Sequence, residues 1–459
     1  MSGVGKPAVE AERRPCGGLH TPQACATGAA DGVMSVMSAT QTHSTIDAIW
    51  RMESAKIIAG LTRIVRDVGL AEDLAHDALV SALEQWPKSG IPNNPGAWLM
   101  AAAKHRAIDY LRRAQMLDRK HEELGREFLE RENTVPDLAG AIDDHIGDDL
   151  LRLVFISCHP VLSTEARVAL TLRLLGGLAT DEIARAFLTS EPTIAQRIVR
   201  AKRALAEAHA PFEVPRGTEF KARLSSVLQV IYLIFNEGYS ATAGDDWLRP
   251  SLCEEALRLG RILAGLVPDE SEVHGLVALM EIQASRSKAR VDSSGQPILL
   301  LEQDRSRWDH LLISRGLAAL EYAATLGGSR GPYLLQAEIA ACHARARTAE
   351  QTDWKRIVEL YEELGQIEPS PIIELNRAVA VAMAFGPQAG LDLVDQLTEE
   401  PSLKNYHLLP GVRGDFLKKL GRMDEARMEF ERAAALTRNS RERELLLARS
   451  RECTSERKM

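Results

Sequence analysis

A stretch near the middle of the chain, residues 190–205, concentrates side chains that suit contact with duplex DNA. Arg and Gln can form paired hydrogen bonds with base edges in the major groove, as we expect for Gln196 and Arg197. Cationic side chains further along the same helix are suited to phosphates, which carry most of the affinity but no sequence information. The predicted DNA-contacting residues are Thr193, Gln196, Arg197, Arg200, Lys202 and Arg203.

A helix-turn-helix is the element that would position these side chains. Ser190 is a good N-cap and Pro192 is tolerated in the first helical turn. At about 100° per residue, one stripe of this helix is apolar and lies about 120° from the polar one. The inward stripe is Ile194, Ile198, Ala201 and Leu205, and Ile183, Ala184 and Phe187 of the preceding helix would pack against it. An ordinary solvated basic face on a structural helix remains the alternative.

A second candidate site lies upstream, in the sequence NNPGAWLMAAAKHRAIDYLRR, which begins at Asn93. Trp98, His105, Asp109 and Arg112 fall on one side of the predicted helix. An aromatic ring among hydrogen-bonding and cationic groups suits a single strand, because every unstacked base offers a π-face. Alternatively, Trp98 belongs to the core and the terminal arginines only complement the helix dipole.

The third candidate is an acidic stripe in the sequence GLAEDLAHDALVSALEQW, from Gly69. Asp73, Asp77 and Glu84 share one face of the predicted helix, while the apolar side chains turn toward a core. Taken alone, such a stripe is most simply explained as solvated surface.

The composition predicts an all-α protein. Only 5% of the residues are aromatic, and helical spacing recurs without a strand-like alternation. The six cysteines form no CxxC pair, the histidines show no ligand spacing, and no Gly-rich phosphate loop is present, so we expect no catalytic residue, metal or cofactor. Cys158 and His159 are adjacent, but an apolar helix end makes core packing the simpler interpretation. Without an apolar run or signal peptide, we expect a cytoplasmic protein that binds no membrane.

The chain divides into five predicted segments. Residues 1–43 lack periodicity and are predicted to be a disordered tail, and a start codon assigned too early would also explain them. Helical blocks follow at 44–115 and 148–210, separated by an acidic linker at 116–147. Between Glu122 and Asp149 there are ten acidic residues and two arginines. The net charge of this stretch equals the net charge of −8 of the whole chain.

Residues 211–459 are predicted to form an α-solenoid of tetratricopeptide-like repeats. In the sequence GDFLKKLGRMDEARMEFERAAAL, small and large residues alternate as helix hairpins of this kind require. Related units in DWKRIVELYEELGQIEP and NRAVAVAMAFGPQAGLDLVDQL recur roughly 33 to 36 residues apart. A loop-like insertion, SRSKARVDSSGQP, interrupts the weaker repeats before residue 335.

In their order along the chain, the acidic stripe, the helix after Asn93 and the helix-turn-helix resemble a bacterial RNA polymerase sigma factor of the extracytoplasmic-function type. The resemblance covers about residues 45–208 and makes 53–113 region 2 and 148–208 region 4. It implies that Asp73, Asp77 and Glu84 dock on the clamp helices of the polymerase β′ subunit. The acidic linker would thread through the polymerase channels, and the β flap would be a further contact.

The resemblance also assigns promoter elements to the two DNA-binding segments. The helix of residues 191–205 would read the −35 element. The loop from Asn93 and the helix after it would open and read the −10 element, although His105 stands where the family often has Asn. The residues implied in −10 binding are Asn93, Asn94, Trp98, Lys104, His105, Asp109, Arg112 and Arg113.

The remainder of the chain is similar to a subgroup of these sigma factors that carries a tetratricopeptide-like extension. The stretches FNEGYSA, from Phe235, and EQDRSRWD, from Glu302, carry this similarity. It implies that the extension modulates the activity of the sigma factor, and a protein partner could bind the repeats. Two other hypotheses stay open: a stand-alone helix-turn-helix regulator with a repeat-based sensor domain, and a scaffold that binds a partner through its repeats.

Overall fold

The computed structural model describes residues 39–124, 146–187, 189–241, 243–244 and 246–455. These residues form α-helices joined by short loops, with one pair of two-residue strands, which confirms the all-α prediction. The predicted disordered tail, apart from its last residues, and most of the predicted acidic linker lie outside the described residues.

Three helices form the N-terminal block. They are α1 (Ala39–Val65), α2 (Val68–Ser89) and α3 (Pro95–Leu124). Asp67 begins α2 by accepting the backbone N–H of Leu70 at 2.8 Å, and Asn94 does the same for α3 through Ala97 at 3.1 Å. The end of α3 differs from the prediction, because the helix continues into the segment expected to be linker.

Four helices form the second block. They are α4 (Ile146–Ser157), α5 (Thr164–Leu174), α6 (Thr180–Ala186) and α7 (Glu191–Glu207). As predicted, the Ser190 hydroxyl caps α7 by accepting the N–H of Thr193 at 3.3 Å. All four residues of the predicted inward stripe, Ile194, Ile198, Ala201 and Leu205, are buried against α5 and α6. The pair α6 and α7 is therefore a helix-turn-helix.

Eleven helices of the described chain form the C-terminal extension, each packed mainly on its neighbours. Their bounds are α8 (Gly217–Tyr239), α9 (Pro250–Leu266), α10 (Ser271–Ala284), α11 (His310–Thr325), α12 (Pro332–Arg345), α13 (Trp354–Ile367), α14 (Pro371–Phe385), α15 (Pro387–Leu397), α16 (Leu408–Lys419), α17 (Met423–Leu436) and α18 (Ser440–Ser455). Short 3-10 turns occupy the long loop between α10 and α11. The stacking of consecutive helix pairs is that of a helical-repeat solenoid.

The two ends of the extension meet. Strand β1 (Ala243–Gly244) follows α8 and pairs in parallel with β2 (Arg438–Asn439), which precedes α18. The side-chain amide of Asn439 donates to the backbone carbonyls of Ala241 and Asp246 at 3.2 and 2.9 Å. The last helices of the solenoid are thereby fastened to the first.

One hydrophobic core runs through both N-terminal blocks and the first helices of the extension. Helices α8 and α9 pack on α4 and α5, and the buried Arg223 of α8 donates to the carbonyl of Phe155 in α4 at 2.8 Å. A short segment that contains Pro211 and Pro215 joins α7 to α8. The extension after it shares the core of the blocks that precede it.

Gly414 offers a test of the close crossing between α16 and α17. A Cβ at this position would lie 2.9 Å from a ring carbon of Phe430, which is fully buried and cannot move aside. We expect Gly414→Ala to destabilise the protein by about 1–3 kcal/mol through overpacking. Thermal unfolding of the full chain would measure the change.

The matched control is Gly411→Ala, less than one turn earlier in α16. There a Cβ would meet only Leu446 Cδ2, at an ordinary 3.8 Å. This variant should be neutral or slightly stabilised, since Ala is favoured over Gly inside a helix by about 0.5–1 kcal/mol. Equal melting temperatures for the two variants would contradict the tight crossing.

Candidate nucleic-acid and polymerase interface

The exposed side of α7 presents most of the predicted helix-turn-helix contacts together. Thr193, Gln196 and Arg200 are exposed and Arg197 is half-buried. They line one wall of a groove of about 540 Å³, whose other wall is the turn that leads into α5. Arg203 is also exposed, and its guanidinium pairs with Glu207 one turn later at 2.6 Å. Apart from the half-buried Arg197, these side chains are therefore exposed to solvent.

Lys202 is placed differently from its prediction as a phosphate contact. Its ammonium Nζ lies 2.5 Å from Oε2 of Glu72 in α2, and only 20% of the side chain is exposed. Glu72 is buried, and its other oxygen, Oε1, lies 2.6 Å from Nε of Arg173 in α5. In this arrangement Lys202 is occupied by the N-terminal block rather than free for a phosphate. The reason is that a buried carboxylate needs cationic partners.

The ionisation of Glu72 follows from these two partners. Burial by itself would raise the pKa of the carboxyl group, but the charges of Lys202 and Arg173 outweigh it and lower the pKa below 4.5. Because the group is ionised more readily in this structure, its stabilising effect is present at neutral pH. The effect is lost only as the pH falls through the lowered pKa.

His76 completes the cluster as a neutral imidazole. Arg173 can only donate, so Nε2 of His76 must accept its N–H at 2.9 Å. Nδ1 then carries the proton and donates to the Glu72 carbonyl at 2.8 Å. Burial, reinforced by the positive charge of Arg173, lowers the pKa of His76 below 6.5. The contribution of His76 is therefore complete above pH 6.5 and declines as acid protonates the ring.

Further ion pairs join the two blocks around this cluster. Arg51 of α1 pairs with Glu182 of α6 at 2.5 Å, and Arg63 of α1 pairs with the buried Asp149 of α4 at 3.1 Å. The sequence counted Asp149 among the acidic residues at the linker, whereas it belongs to the packed interior. Gly177 has a φ of +65°, and a Cβ there would lie 2.9 Å from the Ser54 hydroxyl in α1. The turn before α6 thus lies directly on the N-terminal block.

The predicted −10 residues lie along α3 and the loop before it. Asn93 and Asn94 are exposed in that loop. Trp98 and Lys104 are half-buried, and the Trp98 ring meets the buried Trp86 edge-on with centroids 5.3 Å apart. Trp98 thus contacts the core, as the alternative interpretation held, and keeps only part of its surface for stacking. Four further predicted residues are exposed: His105, Asp109, Arg112 and Arg113.

The acidic stripe is a continuous exposed face of α2. Asp73 and Asp77 keep 77% and 59% of their side-chain surface, and Glu84 is also exposed. Arg106 of α3 donates to Ser81 at 2.5 Å and lies 3.5 Å from Asp77, which fixes α3 beside the stripe. Its neighbour Glu72, inside the same motif, is buried, and Lys202 lies between the two carboxylates, 2.5 Å from Glu72 and 3.8 Å from Asp73. One helix therefore carries a solvent-facing acidic surface and an inward-facing acidic anchor.

The site residues predicted from the sequence did not include Glu72, His76 or Arg173. A signal for Glu72 was available, because it lies between Ala71 and Ala75 on the apolar face of α2, where an isolated carboxylate needs a partner. The partner itself could not be found this way. Arg173 is 101 residues away, and periodicity within a helix does not report such distant contacts.

The described part of the chain contains no group of three or more His, Cys, Asp and Glu side chains arranged to hold a metal ion. Within those same residues, every helix is too short or too polar to cross a bilayer.

Three family models match successive parts of this chain. Residues 50–116 match sigma-70 region 2, and residues 152–205 match sigma-70 region 4. Residues 223–324, at the start of the extension, match a family of unknown function, DUF6596.

Similar proteins include one that aligns with most of this chain and two ECF sigma factors that align with about a third of it. An uncharacterized protein of Rhizobium meliloti is 44% identical over 387 residues, which is 84% of this chain and 90% of that protein. The probable ECF RNA polymerase sigma factor SigI of Mycobacterium tuberculosis is 26% identical over 36% of this chain and 56% of its own length. The ECF RNA polymerase sigma factor SigK of a Mycobacterium species is 25% identical over 33% of this chain and 76% of its own.

Among solved structures, yeast Tom70 aligns with 92% of this chain and 85% of its own, at 11% identity and a TM-score of 0.34. A similarity this low carries no argument about the fold. The matches to sigma-70 region 2 and region 4, together with the ECF sigma factor relatives, carry the family assignment instead. The chain therefore belongs to the sigma-70 family, as a sigma factor of the extracytoplasmic-function type with a C-terminal extension of helical repeats.

Proposed function

We propose that this sigma factor binds core RNA polymerase through α2, reads two promoter elements through α3 and α7, and is held inactive until its two regions separate. Sigma factors are non-enzymatic initiation factors that bind core polymerase and promoter DNA. The observation that carries the finer proposal is the cluster in which Glu72 of region 2 holds Lys202 of the region 4 recognition helix. The cytoplasm, where the polymerase works, is the proposed location.

The exposed carboxylates of α2 support the assignment of the polymerase-binding face. Asp73, Asp77 and Glu84 lie on one side of a helix whose opposite side is buried, so a partner can bind them without disturbing the core. We assign the clamp helices of β′ to this face. The β flap is assigned to region 4.

The spacing of promoter elements explains why the two regions must separate. Elements centred near −10 and −35 lie about 25 base pairs apart, on the order of 85 Å at 3.4 Å per base pair. In this structure Lys202 of the recognition helix touches Glu72 of region 2 directly. One sigma factor with its regions in this arrangement cannot contact both elements at once. The arrangement therefore represents the inactive state of the protein.

The extension is proposed to stabilise that state. Arg258 of α9 donates to the carbonyl of Leu175, at the end of α5, at 2.5 Å. Arg249, just before α9, donates to the carbonyl of Ala186, at the end of the first helix of the helix-turn-helix. Both hydrogen bonds fix region 4 against the solenoid. Modulation by the extension would act by holding or releasing region 4.

Charge reversal of the acidic face tests polymerase binding. We expect the triple variant Asp73→Lys, Asp77→Lys and Glu84→Lys to abolish retention on core RNA polymerase, because three attractive charges become repulsive. The matched control reverses three exposed carboxylates elsewhere, Glu213, Glu321 and Glu399. Co-elution with core polymerase measures both. Equal retention of the two variants would show that α2 is not the binding face.

The salt dependence of DNA binding tests the phosphate contacts of α7. Each lost contact should reduce the slope of log K against log salt by about 0.9. We expect this for Arg200→Gln and for Arg203→Gln on any duplex, since phosphate contacts carry no sequence information. Arg307→Gln, an exposed change in the extension, serves as the control. A slope unchanged by both α7 substitutions would remove them from the interface.

Separation of the two regions can be measured as a distance. Lys202→Met removes one partner of Glu72 but leaves Arg173, so the fold should survive while the contact between regions weakens. Pulsed EPR between labels at the exposed positions Gln85 and Ala195 should then report a larger population at long distance.

Arg203→Met is the matched control for this variant. Arg203 lies on the same helix, but among the described residues its ion pair is with Glu207 of that helix. Its distance distribution should equal that of the unmodified chain. If Lys202→Met also left the distribution unchanged, the cluster would not be what holds the regions together.

A further inference from the structure

The two stretches that characterise the extension, FNEGYSA and EQDRSRWD, come together around a group of arginines. Tyr239 ends the helix of the first stretch, and Trp308 belongs to the second. The guanidinium carbon of Arg290 lies 3.6 Å from the centroid of the Tyr239 ring. That of Arg286 lies 5.7 Å from the Tyr239 ring and 5.9 Å from the Trp308 ring. Residues far apart in sequence thus build one cationic, aromatic cluster.

A third arginine of the cluster already has a structural role. Arg305 donates to the carbonyls of His343 and Ala346, both at 2.6 Å, and so caps the end of α12. Its guanidinium carbon also lies 4.9 Å from the Trp308 ring. Its charge adds to the cluster, but its hydrogen bonds are used within the fold.

The charges of Arg286 and Arg290 are not compensated by hydrogen bonds in the way that the charge of Arg305 is. Arg286 is only 9% exposed, and the Nε atoms of Arg286 and Arg290 are buried without a hydrogen-bond acceptor. Throughout the described residues, neither side chain has a carboxylate within ion-pairing distance. The nearby Arg249 shows the usual solution, because it pairs with Glu237. Among the described residues, the buried Arg286 and the half-buried Arg290 therefore lie beside the same tyrosine ring without a counter-charge.

The pKa values of Arg290 and His343 reflect the free-energy cost of burying this charge. Burial, together with the neighbouring charge of Arg286, lowers the pKa of Arg290. Burial and the charges of Arg286 and Arg305 lower the pKa of His343 to about 3, so this histidine is neutral. Aromatic rings repay only part of the cost of burying a cation. Buried charges in proteins are normally paired or bind an ion of opposite charge.

We propose that the cluster of Arg286, Arg290, Tyr239, Trp247 and Trp308 is a binding site for a small anion that carries a phosphate or carboxylate group. The two guanidinium groups would hold the anionic group, and the aromatic rings would pack against the rest of the molecule. The guanidinium carbon of Arg290 lies 5.8 Å from the Trp247 ring and both residues are half-buried, so part of the cluster is exposed to solvent.

A small molecule fits the site better than a macromolecule. The cluster lies where the loop between α10 and α11 meets the start and the end of the solenoid. The amide of Gln296 in this loop donates to Glu444 of α18 at 2.6 Å, and strands β1 and β2 close the segment after Tyr239. Because Arg286 is only 9% exposed behind these contacts, a small ligand is favoured over a macromolecule. The proposal does not depend on the function assigned to the sigma regions.

Anion-dependent stability of the full chain tests the site. Thermal unfolding is measured with inorganic phosphate, succinate and chloride at equal ionic strength. We expect a saturable rise in melting temperature with phosphate or succinate that chloride does not give. A rise with phosphate alone assigns a phosphate-bearing ligand, and a rise with succinate alone assigns a carboxylate. No rise beyond that of chloride with either probe overturns the proposal.

Substitutions localise the effect. Arg286→Met and Arg290→Met should each weaken binding of the effective anion at least tenfold, measured by calorimetric titration, whereas Arg307→Met, in the same loop but exposed, should not. Arg290→Lys retains the charge and guards against loss of folding, and it should weaken binding less than Arg290→Met. Equal affinity in the Arg290→Met and Arg307→Met variants would place the anion elsewhere and overturn the assignment.

Discussion

A buried carboxylate, Glu72, determines how region 2 and region 4 of this sigma factor lie together. A carboxylate removed from water must have cationic partners, and those of Glu72 come from the two sides of region 4. Arg173 reaches it from α5 and Lys202 from the recognition helix. Breaking a buried pair of this kind by removing one partner typically costs about 3–5 kcal/mol. The relative position of the regions is thus fixed by charge as well as by apolar packing.

The shared core supports the proposal that the extension modulates the activity of the sigma regions. Helices α8 and α9 complete the apolar surface of α4 and α5, so region 4 is packed between region 2 and the solenoid. A change anywhere in the first helices of the solenoid would reach region 4 through direct contacts. The solenoid itself is fastened end to end by Asn439 and the paired strands. In the proposed modulation, the extension would act on region 4 through these contacts.

Local features of this fold could be predicted from sequence, and distant pairings could not. The cap at Ser190, the inward stripe of α7 and the small-residue crossing at Gly414 follow from rules that act within a few residues. The contact between Lys202 and Glu72 could not be predicted in this way. Within one helix, a lysine gives the same sequence signal whether it faces DNA or a carboxylate of another helix. The end of α3 was also misjudged, since charge-rich sequence can continue a helix as readily as form a linker. The roles of the predicted promoter and polymerase contacts remain predictions.

Transcription by core RNA polymerase from a pool of genomic fragments tests the central claim most directly. It is measured without added protein, with the unmodified chain, and with Lys202→Met, whose regions should separate more easily. The account predicts new transcripts that depend on the protein, with a higher yield from Lys202→Met, and upstream sequences that share two spaced elements. The absence of new transcripts with both forms, in preparations that bind duplex DNA, would contradict it.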